Sequence, residues 1–120
     1  MRTNTLLHCL VFLFLLPTFA HGKAKYIWEA KIVGDACKEG NTVGKPSELQ
    51  LLDAGMCRGF VSAVEDNLED AGYILEDSMD SQAVPVFTQY LDRHPELRTQ
   101  SARSVMLSAW LEVGLVHHPK

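Results

Sequence analysis

Residues 47–72 read SELQLLDAGMCRGFVSAVEDNLEDAG, and this stretch decides the fold because it carries the clearest helical pattern in the chain. Its apolar residues recur at steps of three and four, the spacing that places them on one face of an α-helix. Ser47 precedes the pattern as a good N-cap residue, and Gly72 follows it. We therefore predict one long helix whose buried face comprises Leu49, Leu52, Met56, Phe60, Ala63 or Val64, and Leu68.

Two glycines lie inside this helical pattern. Gly55 and Gly59 are four residues apart, beside Ser62 and Ala63. A glycine in a helix interior costs about 1 kcal/mol relative to alanine, so two of them need a structural reason. We predict that Gly55 and Gly59 are helix-packing residues that let a neighbouring helix approach closely. The alternative is a helix that breaks at Gly55.

A shorter helix is predicted before this one. Within residues 24–36, Trp28, Ile32 and Ala36 follow one another at steps of four, which favours a helix. Two glycines and a proline within residues 38–46 then mark a loop. The chain is thus expected to turn back on itself between the first two helices.

A third helix is predicted after a connector that spans residues 71–80. Ser81 is its expected N-cap, which places Pro85 in the first turn, and His94 with the following proline ends it. Its predicted apolar stripe comprises Val84, Phe87 and Leu91.

The last predicted helix spans residues 99–113, with Gly114 as its C′ residue. Trp28 and Trp110 lie on or beside apolar stripes and are predicted to be core residues. The inward residues of the last helix are expected to be Ala102, Val105 or Met106, Ala109 and Val113. Four helices with short connectors predict an all-α fold, a small four-helix antiparallel bundle.

The first 20 residues have the order of a secretory signal. Arg2 is the only charge before residue 22, residues 6–16 are mostly apolar, and the small residues Thr18 and Ala20 lie at positions −3 and −1 of the expected cleavage point. Such a short apolar run is below the roughly 20 residues that a membrane-spanning helix needs. We predict cleavage after Ala20, which leaves residues 21–120 as a single exported, periplasmic domain without a membrane anchor. The alternatives are a core helix or a retained anchor.

Cysteine usage agrees with export. Cys9 would leave with the signal, so two cysteines would remain, Cys37 and Cys57. An even count in an oxidising compartment predicts one disulfide between them. Zinc binding and a nucleophilic cysteine are the alternatives, but two isolated cysteines make a poor tetrahedral metal site.

Charge and motifs exclude several classes of function. The formal net charge of −4 argues against nucleic acid as a partner. The sequence has no G-x-S-x-G, no glycine-rich phosphate loop and no H-E-x-x-H. We therefore expect no catalytic residue, no metal and no cofactor, and we predict that the chain is not an enzyme.

The most unusual local feature is a run of acids without lysine or arginine. It comprises Glu65, Asp66, Glu69, Asp70, Glu76, Asp77 and Asp80. One interpretation is a solvated helix end; the other is an electronegative surface for a basic partner. A calcium site would need a D-x-[DN]-x-[DN]-G run, which is absent.

Three apolar residues, Tyr73, Ile74 and Leu75, lie within this acidic run. An apolar tip surrounded by charge is typical of an interface anchor with a polar rim. The alternative is that this connector folds down onto the bundle. The candidate partner-binding set therefore joins these three residues to the seven acids.

Two segments carry a family resemblance. They are MCRGFVSAV at residues 56–64 and YLDRHPELR at residues 90–98, followed by Ala102 and Ala109 in the last helix. With a cysteine after a short first helix, this pattern resembles the Rap-type (resistance-associated) immunity proteins of type VI secretion systems. The likeness spans roughly residues 27–115.

The resemblance implies a small, exported, helical protein that binds and blocks a papain-like peptidoglycan amidase. The family pattern usually has four cysteines, of which two match Cys37 and Cys57. The third would fall within residues 74–79 and the fourth within residues 115–119, and neither is present. Their joint absence is expected if those two pair with each other. It also implies that the connector and the tail are less restrained in this chain.

The leading functional hypothesis is a periplasmic immunity protein that neutralises a cell-wall amidase by covering its active cleft. Self-association into a homodimer is left open. A periplasmic acid-stress chaperone is one alternative, because small helical exported proteins with one disulfide also do that work. An enzyme that acts on peptidoglycan is the other.

Overall fold

The computed structural model describes residues 28–41 and 43–120, so the predicted signal peptide lies outside the described residues. Four α-helices dominate the described part of the chain, which confirms the small all-α bundle. They are α1 (Ala30–Glu39), α2 (Glu48–Asp70), α3 (Met79–Arg93) and α4 (Ala102–Glu112). The two short strands β1 (Ile74–Leu75) and β2 (Val116–His117) and a 3₁₀ turn at Pro95–Leu97 complete the fold.

Helix α1 lies at the centre of the bundle. It packs against each of the other three helices, and α3 and α4 also pack on one another. The long helix α2 joins the rest of the molecule chiefly through α1 and β1. Because α1 separates α2 from α3, those two helices leave a gap along one side.

The predicted disulfide is confirmed, and it fixes α2 against α1. Cys37 and Cys57 are joined with their Cα atoms 4.9 Å apart, and both are buried. Cys57 must therefore face α1, which sets the rotation of α2 about its axis. The buried residues of α2 are Cys57, Val61, Val64 and Leu68.

The buried face predicted for α2 is consequently wrong in its first half. Leu49 is 66% exposed and Leu52 is 68% exposed. Met56 and Phe60 are partly exposed, whereas Val64 and Leu68 are buried as predicted. Helix α1 is followed at once by Gly40, which lies against Ala54, so the first turns of α2 extend beyond α1.

The glycines that permit close packing are not the predicted ones. A Cβ built on Gly55 or Gly59 would meet no described atom within 4 Å. A Cβ on Gly34 would lie 2.6 Å from the Leu91 side chain, and one on Gly40 would lie 2.5 Å from the backbone of Ala54. The helix-packing role predicted for Gly55 and Gly59 is thus wrong for the described chain, because both lie on the solvent side of α2.

The start of α2 follows the sequence closely. The Ser47 side chain accepts a hydrogen bond from the Gln50 backbone N–H, and the Gln50 side chain accepts one from the Ser47 N–H. This reciprocal capping box satisfies two backbone donors that the helix itself leaves free. After the helix ends, Gly72 takes a positive φ of 86° as the chain turns.

Helix α3 begins earlier than predicted, at Met79 with Ser78 as its N-cap. Pro85 therefore lies inside the helix and not in its first turn. A proline inside a helix cannot donate the backbone hydrogen bond to the residue four before it, and its ring crowds that residue's carbonyl. The stripe is otherwise as expected, with Phe87 and Leu91 buried and Val84 partly buried.

The last helix buries the predicted residues except the final one. Ala102, Val105, Met106 and Ala109 are buried, whereas Val113 is exposed at the C-cap, before Gly114 turns the chain with φ 74°.

Only one of the two tryptophans is a core residue. Trp110 is fully buried, and its Nε1–H donates to the Ala83 carbonyl at 3.0 Å. Trp28 is about half exposed and lies tilted against the ring of Phe60, 5.8 Å between centroids. The core prediction for Trp28 is therefore wrong.

The connector and the C-terminal tail pair as two antiparallel strands, which the sequence analysis missed. Leu75 lies opposite Val116 and Ile74 opposite His117. The Glu76 N–H donates to the Leu115 carbonyl at 3.0 Å, and the His117 Nε2 lies 2.8 Å from Glu76 Oε1. The connector and the tail are thus held together by strand pairing.

A new disulfide between these strands should stabilise the protein. Leu75 and Val116 form a non-hydrogen-bonded antiparallel pair, the pair with the closer side chains. In the chain-entropy model, closing this loop of about 40 residues contributes about 4 kcal/mol. Lost apolar burial offsets part of that, so we expect a net gain of about 2 kcal/mol for Leu75→Cys with Val116→Cys.

The measurement is thermal unfolding of the oxidised double variant beside Leu75→Ser with Val116→Ser, which lacks the new bond and keeps Cys37–Cys57. The oxidised form should melt several degrees above the wild type. An oxidised form that melts below the double-serine variant would contradict the strand register.

Candidate partner-binding site

Six of the seven predicted acids converge on one surface depression of about 350 Å³. The end of α2 supplies one wall, and the start of α3 supplies the other, because β1 turns the chain back between them. We call this feature the acidic depression. Its lining residues are Glu65, Asp66, Glu69, Leu75, Glu76, Asp77, Met79 and Asp80.

The remaining candidates lie outside the acidic depression. Tyr73 is half-buried against the core, with its ring 5.7 Å from that of His118. Ile74 is 45% exposed, whereas its neighbour Leu75 packs against the core. The connector therefore folds down onto the bundle at Tyr73 and Leu75, and only Ile74 presents an apolar side chain to solvent. Asp70 is exposed beyond the lining.

Glu65 is the most perturbed group of the site. Burial raises the pKa of its carboxyl, and the nearby charges of Asp80, Asp66 and Glu69 raise the pKa further. Its Oε1 atom is buried without a hydrogen-bond partner among the described residues. A charged Glu65 is therefore held at an energetic cost, which a cation or a hydrogen-bond donor would relieve.

Replacing Glu65 by glutamine should therefore raise stability at pH 7. A raised native pKa means that the native state binds more protons than the unfolded state between the two pKa values, so wild-type stability falls as pH rises through this window. Above the window the full cost of the charge remains, and glutamine removes it. The gain should be below about 1 kcal/mol, because the carboxylate is partly solvated.

Thermal unfolding from pH 3 to pH 8 measures this effect. The difference in Tm between Glu65→Gln and the wild type should be positive at pH 7, shrink as the pH falls through the raised pKa, and vanish below about pH 4.5, the ordinary pKa of a glutamate carboxyl. A difference that grows on acidification would show that Glu65 is stabilised in its charged form.

A second cavity of about 460 Å³ adjoins the acidic depression and lies in the gap between α2 and α3. We call it the groove. The Cys37–Cys57 disulfide, Val61 and Ala83 contribute apolar surface to its lining, and Arg58 lines it as well. Glu65 and Asp80 line both cavities, so the groove and the acidic depression are continuous. Sequence reasoning missed the groove because it depends on the position of α1 between α2 and α3.

An exposed apolar stripe runs along α2 and the chain before α1. It comprises Trp28, Leu49, Leu52, Met56 and Phe60. Among the described residues nothing covers Leu49 or Leu52. Contiguous exposed apolar surface is typical of interaction sites, so the stripe is a second candidate surface.

Residues 28–41 and 43–120 contain no group of three or more His, Cys, Asp or Glu side chains placed to hold a metal ion. None of the helices in these ranges is long and apolar enough to cross a membrane.

Comparison with known proteins found no relative. No family model, no curated protein and no solved structure matches this chain. The resemblance to Rap-type immunity proteins therefore stays a prediction from the two sequence segments.

Proposed function

We propose that this chain is a periplasmic binding protein of the immunity type, which neutralises a peptidoglycan amidase by covering its active cleft. The observation that carries this proposal is the acidic depression, where six carboxylates from α2, the connector and α3 line one concave surface without a lysine or arginine among them. Like charges at such spacing repel one another, so the arrangement is a cost to folding. A basic partner surface would convert that cost into attraction.

Electrostatic steering is the physical benefit of such a surface. A concave wall of one charge sign focuses the field and raises the rate of encounter with an oppositely charged protein. Ile74 lies exposed on the strand next to the depression and supplies apolar contact area at its edge. The partner is thus a protein with a basic rim around the cleft that is to be covered.

The disulfide supports an exported location. Cys37 and Cys57 are bonded to each other and buried, and such bonds persist in oxidising compartments. Removal of residues 1–20 remains part of the proposal, and mass spectrometry of periplasmic material tests it through the loss of the first 20 residues.

The immunity function predicts that a peptidoglycan amidase is encoded beside the gene for this chain, and the functional experiment uses that enzyme. Purified residues 21–120 are mixed with that enzyme, and release of cleaved peptide from peptidoglycan is followed over time. We expect stoichiometric inhibition, with full activity restored when the chain is omitted. Undiminished cleavage at a tenfold molar excess of the chain would refute the immunity function.

The exposed apolar stripe favours a second candidate, a periplasmic acid-stress chaperone that binds unfolded clients. That function predicts suppressed aggregation of an acid-denatured client near pH 3, together with a loosened fold. Leu49→Ser with Leu52→Ser should then abolish the suppression. An immunity protein keeps its fold and leaves client aggregation unchanged under the same conditions.

A further inference from the structure

The groove and the acidic depression differ in chemistry but share two side chains. The groove has an apolar part formed by the disulfide, Val61 and Ala83. The acidic depression is lined almost entirely by carboxylates. Glu65 and Asp80 lie where the two meet.

The groove has a positive side chain, Arg58, towards one end and a negative side chain, Glu65, towards the other. Arg58 lies seven residues before Glu65 on α2, a separation of about 10 Å along the helix. Arg58 lines the groove and is not part of the acidic depression. An occupant would therefore place its positive end at Glu65 and an anionic or carbonyl group near Arg58.

The place where the groove and the acidic depression meet is suited to a guanidinium group. The buried Oε1 of Glu65 has no hydrogen-bond partner among the described residues, and the Asp80 carboxylate lines the same place. A guanidinium carries five donors in a planar fork and is more weakly hydrated than an ammonium, so it can serve two carboxylates at once. A lysine would offer a compact charge without that geometry.

We infer that the groove binds an extended segment of the partner protein in which an arginine inserts between Glu65 and Asp80 while a neighbouring apolar side chain lies over the Cys37–Cys57 disulfide. This inference rests on the proposed function and names the chemistry by which the partner is recognised. The groove volume of about 460 Å³ is enough for two side chains and the backbone between them.

Two short peptide probes test binding in the groove without the partner protein. N-acetyl-leucyl-arginine amide carries the proposed chemistry, and N-acetyl-leucyl-citrulline amide has nearly the same shape without the charge. Each is titrated into ¹⁵N-labelled protein, residues 21–120 with the disulfide intact. We expect saturable shifts at the amides of Val61, Glu65 and Ala83 for the arginine probe, and binding at least about 10-fold weaker for citrulline.

Three variants localise the binding. Glu65→Gln with Asp80→Asn should weaken the arginine probe at least about 10-fold, because it removes both charged acceptors. Ser62→Trp should block the groove from an exposed position, and circular dichroism checks its fold. Glu112→Gln, on the exposed end of α4, is the matched control and should bind as the wild type does.

Equal affinity for the two probes, shifts confined to other surfaces, or no saturation at tens of millimolar would each overturn the inference. Its failure is distinguishable from failure of the proposed function. If an amidase is inhibited equally by the wild type and by both groove variants, the proposed function holds and binding in the groove is wrong. If the arginine probe binds specifically but no amidase is inhibited, binding in the groove holds and the proposed function is wrong.

Discussion

Cys37→Ala combined with Cys57→Ala should lower the free energy of unfolding by about 3 kcal/mol, since the disulfide closes a loop of 20 residues. The bond is also the clamp that holds α2 against the central helix α1. Both sulfurs are buried, at 2% and 5% residue exposure, so alanine adds a small packing loss. For a domain of this size, the Tm should fall by about 12–24 °C.

Calorimetry of residues 21–120 measures this loss, and chemically reduced wild type is the control. The reduced protein should melt near the alanine variant, because both lack the same crosslink. If the variant melts within a few degrees of the oxidised wild type, α1 and α2 are held together by packing alone.

The same substitution, glycine to alanine, should have opposite effects at Gly40 and Gly59. At Gly40 the new Cβ would lie 2.5 Å from the backbone of Ala54, so α1 and α2 must separate. Overpacking of this kind costs about 1–3 kcal/mol. At Gly59 the Cβ meets open space, and the gain in helix propensity should stabilise α2 by about 1 kcal/mol.

Equilibrium urea unfolding of the two single variants measures both effects, and each variant serves as the control for the other. A destabilised Gly59→Ala would mean that another segment or another molecule packs on that face of α2. An unchanged Gly40→Ala would mean that α1 and α2 are further apart than described.

The presence of the helices could be predicted from periodicity and caps, but their orientation could not. Ser47 marks the start of α2 through its capping box, a local signal that the sequence contains. The face of α2 depends on where Cys57 meets Cys37 and on how far α1 extends. Both are tertiary facts, and they leave Leu49 and Leu52 exposed where the pattern predicted burial.

The strands illustrate a different limit. Each strand has two residues, too few for the alternation by which strands are recognised. Their pairing joins two segments that are far apart in sequence, so no local pattern predicts it.

The acidic part of the candidate site could be predicted from the sequence, and the groove could not. The acids could be grouped because they are close in sequence, and six of them line one depression. The groove could not be predicted, since Ser62 and Arg58 are ordinary polar positions on α2 and Ser81 looked like a helix cap. These three residues line one groove only because α1 lies between α2 and α3.

The most direct test of the account is the association rate, at two ionic strengths, with the amidase that the proposed function predicts beside the gene. Glu69→Lys with Asp77→Lys reverses two charges of the acidic depression and leaves Glu76 free to pair with His117. Glu39→Lys with Glu112→Lys is the control, with the same change in net charge at exposed positions outside the depression.

Surface plasmon resonance gives the association rates of both variants, and circular dichroism confirms that each variant is folded. We predict association about 10-fold slower at low salt and nearly independent of salt for the first variant, with the control close to the wild type. Equal association rates for the two variants would contradict a binding site at the acidic depression.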